Sequence, residues 1–513
     1  MTARLKRSFK RLLNVDSHEV QKVLLLTITF FLLIGAYTVT RELKDVVFAT
    51  IVGTDKYLFA YAKIFSMLVL IPAIFFHSRL VDLVRRHYLL YFYSILFTIL
   101  GFVFVYYLGD PVIGLPNAIS SPNRLFGWFF YFFIEGYSPL VVSVFWAFAN
   151  SITKPQAAKN NYPVMIAGSK LGGIICATIG WSILISGSWS DTVNLQLLLG
   201  YSTIILGLVP FAIYYLVNKV PKSEMHGYEA GYQLRQEARK RHIVEQRSAF
   251  QSMFSGFSLL FQYPYVMGIF GMTFFFEMVI QALKVENIIF VKTVSENNLS
   301  LFASVLLWQA ILVHVVAFVV VLFGTRAIIT ALGERRSLMV IPAVTGLSVL
   351  VFLISPSYAT AIFAFVVTRS INYAFAAPLR ESLYIPTIKE IQFKSKSWID
   401  GFGSKFAKTC AQSFNWYTND LFGSVLLMAQ TSYFGVVVFF WFLASYALGY
   451  RFETAVANNE VIGAAELEPD LDAAQGGEQP LPTDLVPVKE DSKVPKDPKS
   501  FKDSSHSSSN RML

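Results

Sequence analysis

The chain has 513 residues, of which 54% are hydrophobic and only 15% charged, against about 25% charged in an ordinary soluble domain. A helical span needs about 20 apolar residues, so the apolar positions suffice for about a dozen spans; this is the composition of a polytopic integral membrane protein, and it excludes a soluble enzyme, a secreted disulfide scaffold and a nucleic-acid-binding domain. The 43 Lys+Arg exceed the 33 Asp+Glu by ten, but they gather in the loops between apolar runs, where the positive-inside rule puts them, and imply no nucleic-acid partner.

The basic N-terminus, 1–21, is followed by a run too long for the core of a signal peptide, so that run is read as the first span. Apolar runs fall at 22–52, 57–78, 88–107, 125–150, 163–186 and 196–217, then at 259–284, 300–324, 337–354, 358–379, 400–428 and 432–450. The expected fold class is therefore all-α integral membrane, about twelve transmembrane helices in two six-helix halves. Arg and Lys recur after every even-numbered run, whereas the 108–124 loop carries Arg124 as its only basic residue and the 187–195 loop carries none, its one charge being Asp191. Both termini are thus expected on the cytoplasmic side. The stretch 218–258 is predicted to be a cytoplasmic linker between the halves, 22–217 and 259–450. The tail 451–513, acidic and then rich in Pro, Lys and Ser, is predicted to be disordered. Around Asp82, the loop Ser78 to Arg86 resembles, weakly, a loop motif of the major facilitator superfamily.

Charges at bilayer depth are functional candidates, because each costs a few kcal/mol or more to place there. The first run carries Arg41, Glu42, Lys44 and Asp45, with Arg41, Lys44 and Asp45 at i, i+3 and i+4 on one helix face. The eleventh run holds Ser404, Lys408, Gln412 and Asn415 as a hydrophilic stripe, with Lys405 beside it, and a lipid-facing helix cannot hold such a stripe. Arg369 and Arg380 on the tenth run add cations; Glu135 and Glu277 on the fourth and seventh are acidic counterparts. Lys63 and Lys170 are weaker candidates. Lys170 lies in Ala167-Gly-Ser-Lys-Leu-Gly-Gly173, where small residues suit helix packing. His314 could relay protons, although a His that simply faces a neighbouring helix is commoner. The pooled charge is positive and suits a polyanion such as a phosphorylated substrate. No phosphate-binding P-loop spacing and no metal-ligand pattern occurs, so no cofactor is expected.

At these residues the chain resembles the ATP/ADP translocases, the nucleotide transporters of plastids and of obligate intracellular bacteria such as chlamydiae and rickettsiae. The matching segments are Arg41-Glu-Leu-Lys44-Asp45, Phe145-Trp146-Ala-Phe148-Ala-Asn150, Tyr162-Pro163, Arg380-Glu381-Ser-Leu-Tyr384-Ile385-Pro386, Lys396-Ser-Trp-Ile399-Asp400 and Lys408-Thr409, in the family's order. The resemblance implies a major-facilitator-like fold and a secondary active transporter, not an enzyme. It would exchange nucleotides such as ATP and ADP by alternating access. The expected substrate-binding residues are Arg41, Lys44, Asn150, Arg369, Arg380, Lys405, Lys408 and Gln412; Asp45, Glu135 and Glu277 are expected to pair with them and set coupling. The expected setting is the lipid bilayer of a bacterial inner membrane, with the chain working as a monomer. Proton-coupled import of nucleotides or another phosphorylated anion is the alternative, and a membrane enzyme acting on lipid-linked phosphates a more distant one.

Overall fold

The computed structural model describes residues 19–153, 155–220, 257–296, 298–388, 391, 395–458 and 460–463. The 1–18 segment, most of the expected linker (221–256), the tail beyond 463 and the side chain of Asp82 lie outside the described residues. Twelve principal helical segments run in chain order among those described, the eleventh preceded by a helical lead-in at 396–403. They are α1 (Val20–Ile51), α2 (Lys56–Leu83), α3 (Arg86–Leu108), α4 (Leu125–Ile152), α5 (Pro155–Ile185), α6 (Asp191–Lys219), α7 (Pro264–Val294), α8 (Leu299–Gly324), α9 (Thr325–Ile354), α10 (Tyr358–Ser382), α11 (Ser404–Tyr417) and α12 (Gly423–Ala457). Among the described residues, ten segments are long and apolar enough to cross a membrane.

Several helices begin where a side chain caps them. Ser190 accepts from the Val193 N–H at the head of α6, Asn298 from Leu301 at α8, and Ser357 and Thr360 form a reciprocal capping box at α10. In the loop before α4, Arg124 donates to the carbonyls of Asn117, Ile119, Ile113 and Gly114, so its charge organises this turn. Asp110 in the same loop accepts from the N–H groups of Val112 and Ile113, which hold its carboxyl below the ordinary value.

Boundaries differ from the sequence reading in three places. The seventh run was expected to end at 284 but α7 continues to Val294, because half-buried Lys284 and buried Glu286 have partners within the protein instead of flanking the membrane. The expected 400–428 run is broken by 418–422, so 423–428 belong to α12, which extends to Ala457. Beyond it, Ile462 returns to the 386–388 segment: its N–H donates to Pro386 at 2.8 Å and its carbonyl accepts from Ile388 at 3.1 Å. The sequence reading placed these residues in the tail from 451 onward; of the residues described there, those up to Ala457 continue α12 and Ile462 makes this return.

A π-helical turn interrupts α4 at Ser138–Val142 and α10 at Asn372–Ala376. Glu135 and Arg369 each stand three residues before their turn, at equivalent places in the fourth helix of each half. A ladder of small residues seats α5 on α1. A Cβ on Gly168 would strike Thr27, one on Gly172 the carbonyl of Phe31, and one on Gly35 the sulfur of Cys176.

Apolar packing is uneven along the membrane normal. One buried cluster joins both halves at the ends next to the odd-numbered loops; it includes Val46, Phe48, Phe130 and Leu198 of the first half with Val285, Ile288, Phe302 and Leu306 of the second. Toward the even-numbered loops each half has its own cluster, around Phe145 and Phe148 in one and around Ile269 and Trp441 in the other. Polar ties agree. At the odd-loop end the Asp191 carboxylate accepts from the Leu299 N–H and the Ser300 hydroxyl, and Lys56 meets Glu286 at 2.6 Å and, through its backbone N–H, Asn419. The halves are thus fastened at the odd-loop end.

Candidate functional site

At mid-depth, α1 delivers its charges in three directions. Lys44 reaches Glu135 of α4 at 2.6 Å and lies over the Tyr131 ring at 4.0 Å. Asp45 crosses to Lys284 of α7 at 2.6 Å, with Lys44 at 3.4 Å. Arg41 donates to Glu42 and to the Tyr373 hydroxyl of α10 at 3.0 Å. Within α1 the opposite charges do pair locally, Arg41 with Glu42 and Lys44 with Asp45, and each pair also reaches groups brought by folding.

Glu135 is the centre of the arrangement. Its carboxylate meets Lys44 at 2.6 Å, Lys63 of α2 at 2.7 Å and Lys405 of α11 at 3.2 Å. Those lysines come from three helices and from both halves. Beside them Lys408 meets Glu277 at 3.5 Å, and Glu277 also accepts from Ser404 and Gln281. Gln412 accepts from Asn415 and, with Asp45, Lys63, Tyr131, Gln281 and Lys284, lines a small pocket next to the ion pairs. The α11 stripe is accordingly split: Ser404 and Lys408 face the acidic group of α7, while Gln412 and Asn415 are buried against each other and α7.

A second layer sits one turn along α1 toward the even-loop end. Glu42 is shared by Arg41 at 2.8 Å and Arg369 at 3.1 Å, and Lys170 lies 4.4 Å over the Tyr373 ring. Thr38 and His314 are hydrogen-bonded at 3.1 Å. Across the two layers, Arg41, Lys44, Lys63, Lys170, Lys284, Arg369, Lys405 and Lys408 stand against Glu42, Asp45, Glu135 and Glu277, which is eight cations to four carboxylates.

Two expected binding residues lie apart. Asn150 is exposed near the even-loop end of α4 and accepts from the Tyr162 hydroxyl. Arg380, at the same end of α10, donates to Thr273 at 3.0 Å. Lys284, by contrast, escaped the sequence reading, as did the Lys56–Glu286 pair; the signal available was the sequence Lys284-Val-Glu286 directly after the apolar run that carries Glu277.

The family model for the TLC ATP/ADP transporters matches residues 123–367. Along nearly the whole chain, ADP,ATP carrier protein 1 of Chlamydia pneumoniae is 24% identical, covering 89% of this chain and 96% of that protein. The chloroplastic ADP,ATP carrier protein 2 of Arabidopsis thaliana is 22% identical over 88% of this chain and 78% of its own. The chain is thus similar to the TLC ATP/ADP transporters, through the family model over its middle and through these relatives along most of its length. Among solved structures, the D-xylose-proton symporter aligns with a TM-score of 0.55 at 12% identity, covering 84% of this chain and 96% of that one. The nucleoside transporter NupG aligns at 0.54 and 12%, over 84% and 99%. These likenesses show a major-facilitator-like fold. The family match contains Glu135, Lys170, Glu277, Lys284 and His314; the partners Lys44, Lys405 and Lys408 stand outside it.

Proposed function

We propose that this protein exchanges nucleoside di- and triphosphates, such as ADP and ATP, across a bacterial inner membrane by alternating access, working as a monomer. Lys44, Lys63, Lys405 and Lys408 hold the phosphates, with Arg41, Arg369 and Gln412 lining the same region. The observation that carries this reading is Glu135, one carboxylate shared by lysines of both halves. A polyphosphate offers the same lysines more charge and more acceptors than the carboxylate does. As it binds, the tie between Glu135 and Lys405 is exchanged for ties to the substrate, and the halves can rock about it.

Exchange follows from the same pairs. Glu42 with Arg369, Asp45 with Lys284 and Glu135 with Lys405 each join one half to the other. Reorientation without a nucleotide must part these pairs in a low-dielectric interior with nothing to replace them, which costs several kcal/mol. All four carboxylates at this depth are already ion-paired, which favours exchange over proton symport. The positive even-numbered loops support a cytoplasmic side for that face, and with it for both termini and the 218–258 linker; on this reading the described arrangement is fastened on the external side.

The test is uptake of labelled ATP and ADP into proteoliposomes with and without internal nucleotide, each with and without a pH gradient. Uptake that requires internal nucleotide supports exchange. Gradient-driven accumulation into vesicles lacking nucleotide overturns it in favour of proton symport, and absence of nucleotide uptake under every condition overturns the substrate class.

A further inference from the structure

The layer around Tyr373 is less balanced than the lysine cluster. Arg41, Lys170 and Arg369 contribute three cations there, against the single carboxylate of Glu42. Lys170 is 8% exposed and, among the described residues, its contact is the face of the Tyr373 ring rather than a carboxylate. Arg369 is 6% exposed, and its Nη1 is buried without a hydrogen-bond partner; the Nδ1 of His314, beside Tyr373, is in the same condition. Buried donors and cations are ordinarily paired, because leaving them unpaired costs the whole desolvation of the group. A fold that places several around one tyrosine keeps them for an anion.

The layer is also placed for a particular anion. Arg41 precedes Lys44 by three residues, so along α1 the two layers are separated by a rise of about 4.5 Å, a separation that a short phosphate chain can bridge. The ladder of glycines on α5 packs on α1, and Gly173 closes on His314, so Lys170 is held on a rigid, tightly seated helix.

We propose that Arg41, Lys170 and Arg369, arranged about Tyr373, form a second anion subsite that takes the terminal phosphate of a nucleoside triphosphate while the lysine cluster around Glu135 holds the phosphates nearer the base. This rests on the nucleotide reading above and adds to it a means of counting phosphates. Lys170 and the Arg369 guanidinium are then specificity-determining residues: a triphosphate engages both layers, and a monophosphate engages the lysine cluster alone.

The test uses the full-length protein purified in detergent, with sodium orthophosphate, pyrophosphate and tripolyphosphate as probes, read by anion-dependent thermal stabilisation and by calorimetric affinity. The variants are Lys170→Met, which keeps the volume and removes the charge, and Arg369→Gln. Loss of charge-assisted contacts predicts a fall in tripolyphosphate affinity of about tenfold, with orthophosphate affinity changed by less than about twofold. Lys170→Met without anion should melt at or above the wild-type temperature, because an unpaired buried cation has been removed; Lys170→Arg should keep tripolyphosphate binding.

An equal loss for all three anions would show a general field effect and overturn the subsite. So would no loss in either variant, or a fall in the anion-free melting temperature of Lys170→Met, which marks a structural lysine. If wild-type protein binds tripolyphosphate with this chain-length dependence but binds no ATP or ADP, the subsite stands and the nucleotide reading falls. If it binds ATP and ADP and the variants show no preference by phosphate number, the reading stands and the subsite falls.

Discussion

Replacing Glu135 by Gln removes one negative charge from among three lysines and leaves the side-chain shape almost unchanged. At an effective dielectric of about 20, attractions at 2.6, 2.7 and 3.2 Å are each worth about 5–6 kcal/mol before opposing terms. Repulsion between the lysines and the dehydration of four charges cancel much of that sum. What remains on breaking a buried pair is typically about 3–5 kcal/mol, because the cations are left without a counter-charge. Glu135→Gln should therefore destabilise the nucleotide-free protein by about 3 kcal/mol, seen as a lower melting temperature in detergent. Nucleotide should then restore most of the loss, since ligand at about 100 times its Kd contributes about 2.7 kcal/mol. In the wild type the phosphates must displace Glu135 from its lysines; in the variant that competitor is absent. ATP should therefore bind the variant at least about tenfold more tightly, as about 1.4 kcal/mol of competition is removed, while exchange slows because release becomes harder. Thermal unfolding across an ATP series, paired with proteoliposome exchange, measures both effects. An unchanged melting temperature together with equal stabilisation of both proteins by ATP would refute the idea that the carboxylate and the phosphates compete for one set of cations.

Lys408→Ala and Lys44→Ala should each lower exchange by about tenfold or more, the value of lost charge-assisted hydrogen bonds, with membrane abundance unchanged. Lys→Arg at either position should rescue only in part, because a planar guanidinium does not reproduce a compact ammonium; near-normal uptake by a well-expressed alanine variant would remove that lysine from the site. Asp45→Lys and Lys284→Asp should each impair transport, and the double swap should recover part of the loss with a coupling of about 1–3 kcal/mol, measurable as a double-mutant cycle on exchange rates. A stop after Gly463 should leave exchange intact. A stop after Arg451 should reduce membrane abundance, because it removes Ile462 from its backbone pairing with Pro386 and Ile388 and deprives Arg451 of Glu460; equal abundance of the two truncations would count against a stabilising role for that return.

Local sequence carried the helices well, because a run of apolar residues long enough to cross a bilayer has few other fates. It also singled out Lys44, Glu135 and Lys408, since an isolated charge inside such a run is conspicuous. It failed where the decisive fact was a partner distant in the chain. Lys284 and Glu286 read as the polar flank of the seventh run, and only Asp45 and Lys56, more than two hundred residues earlier, explain why the helix continues past them. Lys170 is a different case. The glycines around it do serve packing, as their spacing suggested, but they occupy the α1 and α8 sides of α5, while the lysine meets Tyr373 of α10. A single stretch of sequence held both roles, and periodicity alone could not divide them. Asn150 is a further case: its motif is recognisable, and in this arrangement it accepts from Tyr162 near the even-loop end, apart from the lysine cluster.

The polarity of α11 also bears on how the protein is made. Each lysine at the centre of a span costs about 2.5–3.5 kcal/mol on insertion scales, so Lys405 and Lys408 together make this helix a poor substrate for independent entry into the bilayer. Its stabilising contacts are on α2 and α7, through Thr409 against Met67, Lys408 with Glu277 and Asn415 with Gln281, and both of those helices are synthesised earlier. The following helix, α12, is long and strongly apolar. Biogenesis of the C-terminal half therefore depends on order: α11 must be retained at the insertion machinery until α12 emerges, and then partition as a hairpin into a bundle that already presents its counter-charges. A chain cut within α12 would strand the cationic helix at the membrane surface, so the last span acts as an assembly checkpoint for a site it does not itself line.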